Sequence, residues 1–322
     1  MNVLQGLAKR ALWFAGSLLA ASGVIFLIVQ TLPGDIAQAT LGLNASPEAL
    51  EAIRQRWGLD RPAIVRYLDW LAGLARGDLG SSYRSGQPVA QQILPGLAVT
   101  GWLVGLALPL AALAAVPLGA VAALWRRRFP GAVASGLSQV GMAVPVFFTG
   151  VLLVVVFAVE LGWLPANGYT PLTGPDGDPA QWWRHLVLPV AVLVIAQASL
   201  LSRYVRSGLV EVMTEDYLRT ARAVGWTRWG ALRRHGTRNV ALSVVTVLGL
   251  QAAALLVGAI IVEQVFQLPG LGSALLRAVA QRDLPVVQGI ACLLVVAVLT
   301  ISFLVDALYL VIDPRLRSKA RR

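Results

Sequence analysis

One stretch of the chain, residues 203–238, concentrates charged side chains that could support chemistry, and it contains eight arginines. Within it Thr214 precedes Glu215 and Asp216, the order of an N-cap residue followed by acids that favour the positive end of a helix. Gly225 lies where such a helix would end, because glycine readily adopts the left-handed conformation that closes helices. The sequence therefore predicts a short charged helix whose chemistry is contact with another surface.

Small side chains on this predicted helix would let a second surface approach closely. Ala221, Ala223 and Gly225 supply them. A helix that lies among lipid headgroups would have a similar composition. Physical reasoning alone therefore leaves two interpretations open, a helix on the membrane surface and a helix that docks on a partner protein.

Catalytic chemistry has little support elsewhere in the sequence. The only lysines are Lys9 and Lys319, and neither follows the glycine pattern of a phosphate-binding P-loop. The single cysteine excludes an internal disulfide or a zinc cluster. His185 and His235 are expected on opposite sides of a membrane, so neither a metal site nor a catalytic site is predicted.

The elements that must position this helix are long apolar segments. Hydrophobic residues make up 57% of the chain and charged residues 13%, against about 25% charged residues in soluble domains. Six stretches without Asp, Glu, Lys or Arg are close to or longer than the roughly 20 residues that cross a hydrocarbon core. They cover residues 11–34, 85–125, 129–159, 185–202, 239–262 and 284–305. We therefore predict an all-α membrane protein with six transmembrane helices, of which the second begins near Gly96.

Basic residues are distributed unevenly between the two ends of these predicted spans. The side that holds both termini carries 18 of the 27 Lys and Arg but only 5 of the 16 Asp and Glu. Because basic loops stay in the cytoplasm, both termini are expected on the cytoplasmic side. The formal net charge of +11 then reflects membrane orientation, and it gives no support for nucleic-acid binding.

The predicted spans divide the chain into three parts. Residues 1–34 are expected to form an uncleaved N-terminal transmembrane helix, and residues 35–95 an extracytoplasmic helical segment. Residues 96–322 are expected to form a core with five spans, which includes the loop at 207–238 and a cytoplasmic tail at 313–322.

Two helices are expected in the extracytoplasmic segment. Ser46-Pro47-Glu48 has the order of a helix start, and Gly58 is a typical helix end. Asp60 is expected to cap a second helix, whose apolar stripe comprises Ile64, Val65, Leu68, Leu71 and Leu74. This segment is interpreted either as a small cap on the outer face or as a docking surface for an external partner.

The stretch from Asp216 to Gly225, DYLRTARAVG, resembles the EAA loop of permeases in binding-protein-dependent ABC importers. The resemblance is greatest to the first permease subunit of the dipeptide/oligopeptide/nickel branch. Further short motifs follow the order of that family over about 280 residues. They occupy residues 32–35, 58–62, 77–82, 163–165, 168–169, 263–266, 269–272, 282–289 and 313–315. Each motif is weak alone, and their shared order makes the resemblance specific.

This resemblance implies a type I ABC importer permease fold and roles for particular residues. The short helix would be a coupling helix on an ATP-hydrolysing subunit, with contacts from Glu215, Asp216, Tyr217, Arg219, Thr220, Ala221, Ala223 and Gly225. The outer segment that follows the fifth predicted span would form an outer gate or part of the translocation pathway. Its candidate residues are Glu263, Phe266, Pro269 and Gly270. For Glu215 and Asp216, helix capping is an equally good explanation, and the two roles are compatible.

Two positions depart from the family pattern. Family members often have lysine where Val224 stands and proline where Ser243 stands. The first departure removes a positive charge from the expected coupling helix. The second removes an expected kink near the start of the fifth span.

The partners and the function also follow from the resemblance. A second homologous permease subunit, two ABC ATPase subunits and an extracytoplasmic binding protein would complete an importer in the lipid of a bacterial or archaeal plasma membrane. This chain would bind no cofactor, because ATP and magnesium are used by the partner ATPases. Di- or oligopeptides are the expected cargo, with nickel or another small solute as an alternative. A secondary transporter would usually carry buried acids for ion coupling, whereas these spans have almost no charge.

Overall fold

The structure is a computed structural model that describes residues 3–31, 46–232, 234 and 237–312. Within these residues every regular element is helical, apart from one isolated antiparallel bridge between Ser81 and Pro88. The predicted tail at 313–322 and the motif at 32–35 lie outside the described residues. The elements are α1 (Val3–Thr31), α2 (Pro47–Arg56), α3 (Ala63–Ala75), α4 (Val89–Leu124), α5 (Phe129–Ala143), α6 (Val146–Leu153), a π-helical segment (Val154–Glu160), α7 (Pro179–Val212), α8 (Asp216–Ala223), α9 (Arg228–Ala231), α10 (Thr237–Val265), α11 (Leu271–Ala280) and α12 (Leu284–Ile312).

Long apolar helices dominate the described chain. Five single helices, α1, α4, α7, α10 and α12, are long and apolar enough to cross a membrane. The helices around residues 129–160 supply a sixth crossing when this bent pair is counted as one span. The prediction of an all-α membrane protein is therefore confirmed.

The predicted third span is a broken helix. The segments on either side of the break meet at an angle of 104°. Val144 at the break is extended, with ψ 124°, because the ring of Pro145 disfavours the helical conformation of the residue before it. The expectation of one uninterrupted helix over residues 129–159 is corrected accordingly.

α4 begins at Val89, earlier than the predicted start near Gly96. The Val89 N–H donates to the Gly80 carbonyl at 2.9 Å, which fixes the chain as it enters the helix. Pro95 lies inside α4, so this proline does not mark a loop. Membrane helices tolerate such prolines because neighbouring groups can satisfy the backbone carbonyl that proline leaves free.

α7 is 34 residues long and extends beyond both ends of the predicted span at 185–202. Asp178 caps its start by accepting a hydrogen bond from the Ala180 N–H at 2.9 Å. Arg203 therefore lies within a helix and not in the loop where the sequence placed it. The connection that carries the short helix α8 begins only after Val212.

The chain divides into two compact units. The first contains residues 1–10, 101–268 and 300–322, and the second contains residues 11–100 and 269–299. α1, α4 and α12 each contribute residues to both units. The domain boundaries at residues 34 and 95 stay a prediction from the sequence.

In the second unit, α2 has the predicted start and end. The Ser46 hydroxyl accepts a hydrogen bond from the Ala49 N–H at 3.3 Å, and Pro47 occupies the first turn. A backbone hydrogen bond, with a further one from Ser46, lowers the pKa of Glu48 below its ordinary value. Gly58 follows α2 with φ 64°, as a helix-terminating glycine does.

α3 differs from the prediction at its start and in its predicted apolar stripe. It begins after Pro62 without a side-chain cap, so the capping role expected of Asp60 is wrong. Ile64 and Leu68 of the predicted stripe are 62% and 54% exposed, whereas the other three residues of the stripe are partly buried. The apolar pattern therefore identified the packed face only in part.

Two aromatic residues of α3 pack against α1. The rings of Tyr67 and Trp70 have their centroids 5.3 and 6.3 Å from that of Phe26 in α1. The Tyr67 hydroxyl lies 3.0 Å from the Ser22 hydroxyl, within hydrogen-bonding distance. Tyrosine can thus bury its ring against α1 while its polar end remains paired.

α7 is the central helix of the first unit, where it packs against α5, α6 and α10. Small residues make the closest contacts, as is common between membrane helices. Ala111 and Ala115 of α4 share a buried cluster with Ala198 of α7. A Cβ atom at Gly119 would lie 2.6 Å from the Ser202 carbonyl oxygen, so α4 and α7 approach almost backbone to backbone.

Gly119→Ala is expected to lower the stability of the first unit by about 1–3 kcal/mol, the usual cost of overpacking. Gly105→Ala is the matched control in the same helix, because nothing lies within 4 Å of the Cβ added there. Thermal unfolding of the full chain in detergent, followed by circular dichroism, measures the difference. Equal midpoints for the two variants would contradict the close approach of α4 and α7.

Candidate functional site

α8 ends in the turn that the sequence predicted. Gly225 has φ 94°, and the Trp226 N–H donates to the Ala221 carbonyl at 3.1 Å. This is a Schellman arrangement, in which the residue after the left-handed glycine bonds back into the last helical turn. The prediction that Gly225 terminates the short helix is confirmed.

The start of α8 differs from the prediction. The Thr214 hydroxyl donates to the Glu211 carbonyl at 2.7 Å, in the last turn of α7. Glu215 immediately precedes α8, and its carbonyl accepts the Leu218 N–H at 3.1 Å. The capping role that the sequence assigned to Thr214 is therefore corrected, because its hydroxyl serves the end of α7.

One face of α8 is anchored among the membrane-spanning helices. Leu218 and Ala221 are only 5% and 8% exposed. They belong to a hydrophobic cluster, here called the anchor cluster, with residues from α4, α7 and α10 and from the segment around α9. Its other buried members are Ala123, Val205, Leu209, Val212, Ala231, Leu232 and Val244. A displacement of α8 would therefore act directly on the ends of three long helices.

The remaining described surface of α8 and its C-terminal turn is exposed. Tyr217, Val224 and Trp226 are 38%, 72% and 42% exposed, so large apolar groups face outward here. The other exposed residues of the predicted set are Glu215, Asp216, Thr220, Ala223 and Gly225. Among the predicted coupling residues whose side chains are described, only Ala221 faces the anchor cluster. The side chain of Arg219 lies outside the described part. Exposed apolar side chains rimmed by polar groups are typical of an interaction surface.

The predicted gate residues at the end of α10 are buried in the first unit. Glu263 has no exposed surface and Phe266 is 1% exposed. The helix closes in a tight turn, in which the Leu268 N–H donates to the Glu263 carbonyl at 2.9 Å and Gln267 has φ 51°. The Gly168 N–H, from the family motif at residues 168–169, donates to the Phe266 carbonyl at 3.1 Å. The structure thus joins two of the motifs that the sequence singled out.

The other two predicted gate residues lie in the second unit, at the start of its segment of residues 269–299. Pro269 is exposed, whereas Gly270 is buried and occupies the N-cap position of α11. Because glycine has no capping side chain, the Leu271 N–H donates instead to the Thr100 hydroxyl of α4 at 2.9 Å. A Cβ at Gly96 would lie 3.0 Å from the Gly270 carbonyl carbon, so the backbones are close at this point. A gating role for these four residues stays a prediction.

A buried acid to which the sequence analysis assigned no role lies directly before α12. Asp283 is 5% exposed, and its carboxylate accepts hydrogen bonds from the Ser82 hydroxyl and, at 3.1 Å, from the Tyr83 N–H. The Ser82 hydroxyl also accepts the Ser85 N–H at 3.0 Å. The loop that precedes α4 is thereby fixed to the start of α12. An acid next to an apolar span is visible in the sequence, but its partner is not.

Tyr83 extends this network to the two short helices of the second unit. Its ring stacks on Trp57, which follows α2, with centroids 4.5 Å apart. Burial raises the pKa of Tyr83, and the nearby guanidinium of Arg66 in α3 opposes that rise. The residues that the sequence placed in an outer helical segment therefore pack together around one tyrosine.

These features define the class of the protein before any comparison. It is a helical membrane protein that exposes a short anchored helix between two long ones. Among the described residues, no three His, Cys, Asp or Glu side chains are grouped to hold a metal ion.

Comparison with known proteins identifies the family. The profile of the "Binding-protein-dependent transport system inner membrane component" matches residues 115–318. The profile of the N-terminal part of such membrane components matches residues 3–103.

Individual transport proteins align with this sequence over nearly its whole length. The glutathione transport system permease protein GsiC of Salmonella typhimurium (strain LT2) is 38% identical over 98% of this chain and 100% of its own length. A provisionally named peptide transport system permease protein of Brucella abortus (strain 2308) is 40% identical over 96% of this chain and 98% of its own. A crystal structure of an amino acid ABC transporter with histidines has a TM-score of 0.52 at 19% identity, covers 68% of this chain and 94% of that chain, and shows the shared fold.

The chain therefore belongs to the family of binding-protein-dependent transport system inner membrane components. It is a permease subunit of an ABC importer, located in the inner membrane, and it is a transport component and not an enzyme. Membership implies that it works with ATPase and binding-protein components. The family resemblance and the location predicted from the sequence are confirmed.

Asp283→Ala is expected to loosen the loop before α4, because the Ser82 hydroxyl and the Tyr83 N–H lose a buried acceptor. An unsatisfied buried donor costs about 1–3 kcal/mol, so the Tyr83 amide should exchange with deuterium at least about tenfold faster. Asp78→Ala is the matched control, because the Asp78 carboxylate also accepts a loop N–H, from Gly80 at 2.8 Å, but at an exposed position. Exchange at Tyr83 that is equal in both variants would contradict the role of Asp283.

Proposed function

We propose that α8 is the coupling helix of this permease and that its exposed surface fits into a groove of a partner ATPase on the cytoplasmic side. The observation that carries the proposal is the division of α8 into two faces. Leu218 and Ala221 are held in the anchor cluster, while Tyr217, Thr220 and Val224 face outward. A helix anchored on one side and exposed on the other can transmit displacement from a partner to the spans.

The mechanism follows from what the anchor cluster contains. Closure of two ATPases around ATP would draw their bound coupling helices together. Because Ala123, Val205 and Val244 lie at the ends of α4, α7 and α10 and share the cluster with α8, the same movement would tilt those spans. Substrate access would then alternate between the two sides of the membrane.

The proposed assembly has five parts besides this chain and lipid: a second homologous permease subunit, two ATPase subunits, an extracytoplasmic binding protein and its cargo. The ATPases would bind ATP and magnesium, and this chain would bind no cofactor. The outer segment of residues 46–88 would receive the binding protein. Glu263, Phe266, Pro269 and Gly270 would contribute to the outer gate.

Gly225→Leu is expected to reduce transport by the assembled importer about tenfold or more. Leucine would be strained at φ 94° by about 1–2 kcal/mol, and its side chain would fill space beside α8 where no atom of the described residues lies within 4 Å of the added Cβ. That open space is where the proposed ATPase surface would lie. Substrate uptake and ATP hydrolysis are measured together in proteoliposomes that contain the complete complex.

Gly174→Leu is the matched control for backbone strain. Gly174 has φ 109°, and no described atom lies within 4 Å of its added Cβ, but it lies outside both the coupling helix and the outer segment of residues 46–88. Transport lost equally in both variants would indicate general strain. Full transport by a complete complex that carries Gly225→Leu would contradict the coupling role of this turn.

We propose peptides as the cargo. Two relatives that align over nearly the whole chain support this, since one is named for glutathione, itself a short peptide, and one for peptides. Uptake of a labelled dipeptide and of labelled glutathione is measured in proteoliposomes with the partner binding protein present. Unlabelled peptides should compete with this uptake and nickel should not; competition by nickel alone would overturn the peptide assignment.

A further inference from the structure

The connection between α4 and α5 has a basic pocket that the coupling function does not use. Arg126, Arg127 and Arg128 line a pocket of about 390 Å³ together with Leu124 and Trp125. All three arginines are exposed. None of them forms an ion pair with another residue of the described part. The pocket therefore offers three guanidinium groups that have no ion-pair partner among the described residues.

The depth of this pocket follows from the sequence of α4. Residues 103–124 are 22 consecutive residues without a polar side chain. At about 1.5 Å per residue they span roughly 33 Å, which is enough to cross a hydrocarbon core of about 30 Å. The segment ends directly before Trp125, so Trp125 lies at the membrane interface and the arginines follow at the level of lipid phosphates.

The short connection keeps the pocket at that level. α4 ends at Leu124 and α5 begins at Phe129, so only four residues separate the helices. Trp125 and Phe129 are 42% and 82% exposed on either side of the arginines, and aromatic side chains are enriched at membrane interfaces. A loop this short does not project toward a soluble partner, and it favours a lipid ligand over a protein.

We propose that Arg126, Arg127 and Arg128 bind the phosphate headgroup of an anionic membrane lipid. A guanidinium presents a planar pair of N–H donors that match the oxygens of a phosphodiester. Basic pockets beside membrane spans commonly bind anionic headgroups, with roughly 1 kcal/mol from each basic residue near the surface. The neighbouring aromatic side chains would contact the glycerol and the upper acyl chains of the same lipid.

Native mass spectrometry of the full chain tests this proposal, after incubation with equal amounts of phosphatidylglycerol and phosphatidylcholine in detergent. The triple variant Arg126→Gln, Arg127→Gln, Arg128→Gln is expected to retain phosphatidylglycerol about a hundredfold less than the unmodified chain. Retention of phosphatidylcholine should not change. The triple lysine variant keeps the charge without the planar donor pair and should retain an intermediate amount.

A matched control removes three exposed arginines elsewhere, through Arg76→Gln, Arg84→Gln and Arg277→Gln. It should retain phosphatidylglycerol like the unmodified chain, and equal loss in both triple variants would overturn the site. If millimolar inorganic phosphate displaces the lipid, the proposal of a lipid headgroup is contradicted and the site binds free phosphate. If the triple glutamine variant at residues 126–128 retains the lipid normally but no longer assembles with the ATPase, the lipid site is wrong and the arginines contact a protein.

Discussion

Within a bilayer no water is available to satisfy backbone N–H and C=O groups, so a crossing segment must pair them inside the protein. Long helices meet this constraint for most of the described chain. Where a helix ends, another element supplies the partner. The Thr100 hydroxyl accepts a hydrogen bond from the first N–H of α11, and the Phe266 carbonyl accepts one from the Gly168 N–H. The position of each irregular segment is therefore tied to the side chain or backbone that completes its hydrogen bonds.

The same reasoning explains why α8 is stable and why it is suited to transmit force. An isolated helix of eight residues is not stable in water, because helix nucleation is costly. α8 persists through the burial of Leu218 and Ala221 and through the turn at Gly225. These contacts also attach it to the ends of α4, α7 and α10. Its stability and its stiffness relative to those spans thus have one physical cause.

Much of this architecture could be predicted from sequence, and the errors have clear causes. Charge-free length predicted the spans, and the glycine after a charged segment predicted the end of α8. Pro95 and Pro145 both lie in apolar segments, yet only the second coincides with a break, and the residue types around the two prolines did not distinguish them. On α3 the apolar stripe predicted the packed face only in part, since Tyr67 and Trp70 pack on α1 while Ile64 stays exposed. Local patterns carry no information about such tertiary partners.

The pairing of Ser82 with Asp283 has a consequence for biosynthesis. The two residues are 201 positions apart, and a ribosome that adds about 5–20 residues per second needs roughly 10–40 s to make the intervening chain. During that time the loop before α4 is already made while its acceptor does not yet exist. The loop before α4 can therefore complete its hydrogen bonds only after Asp283 has been synthesised. A chain truncated before Asp283 would leave this loop without its acceptor and open to proteolysis.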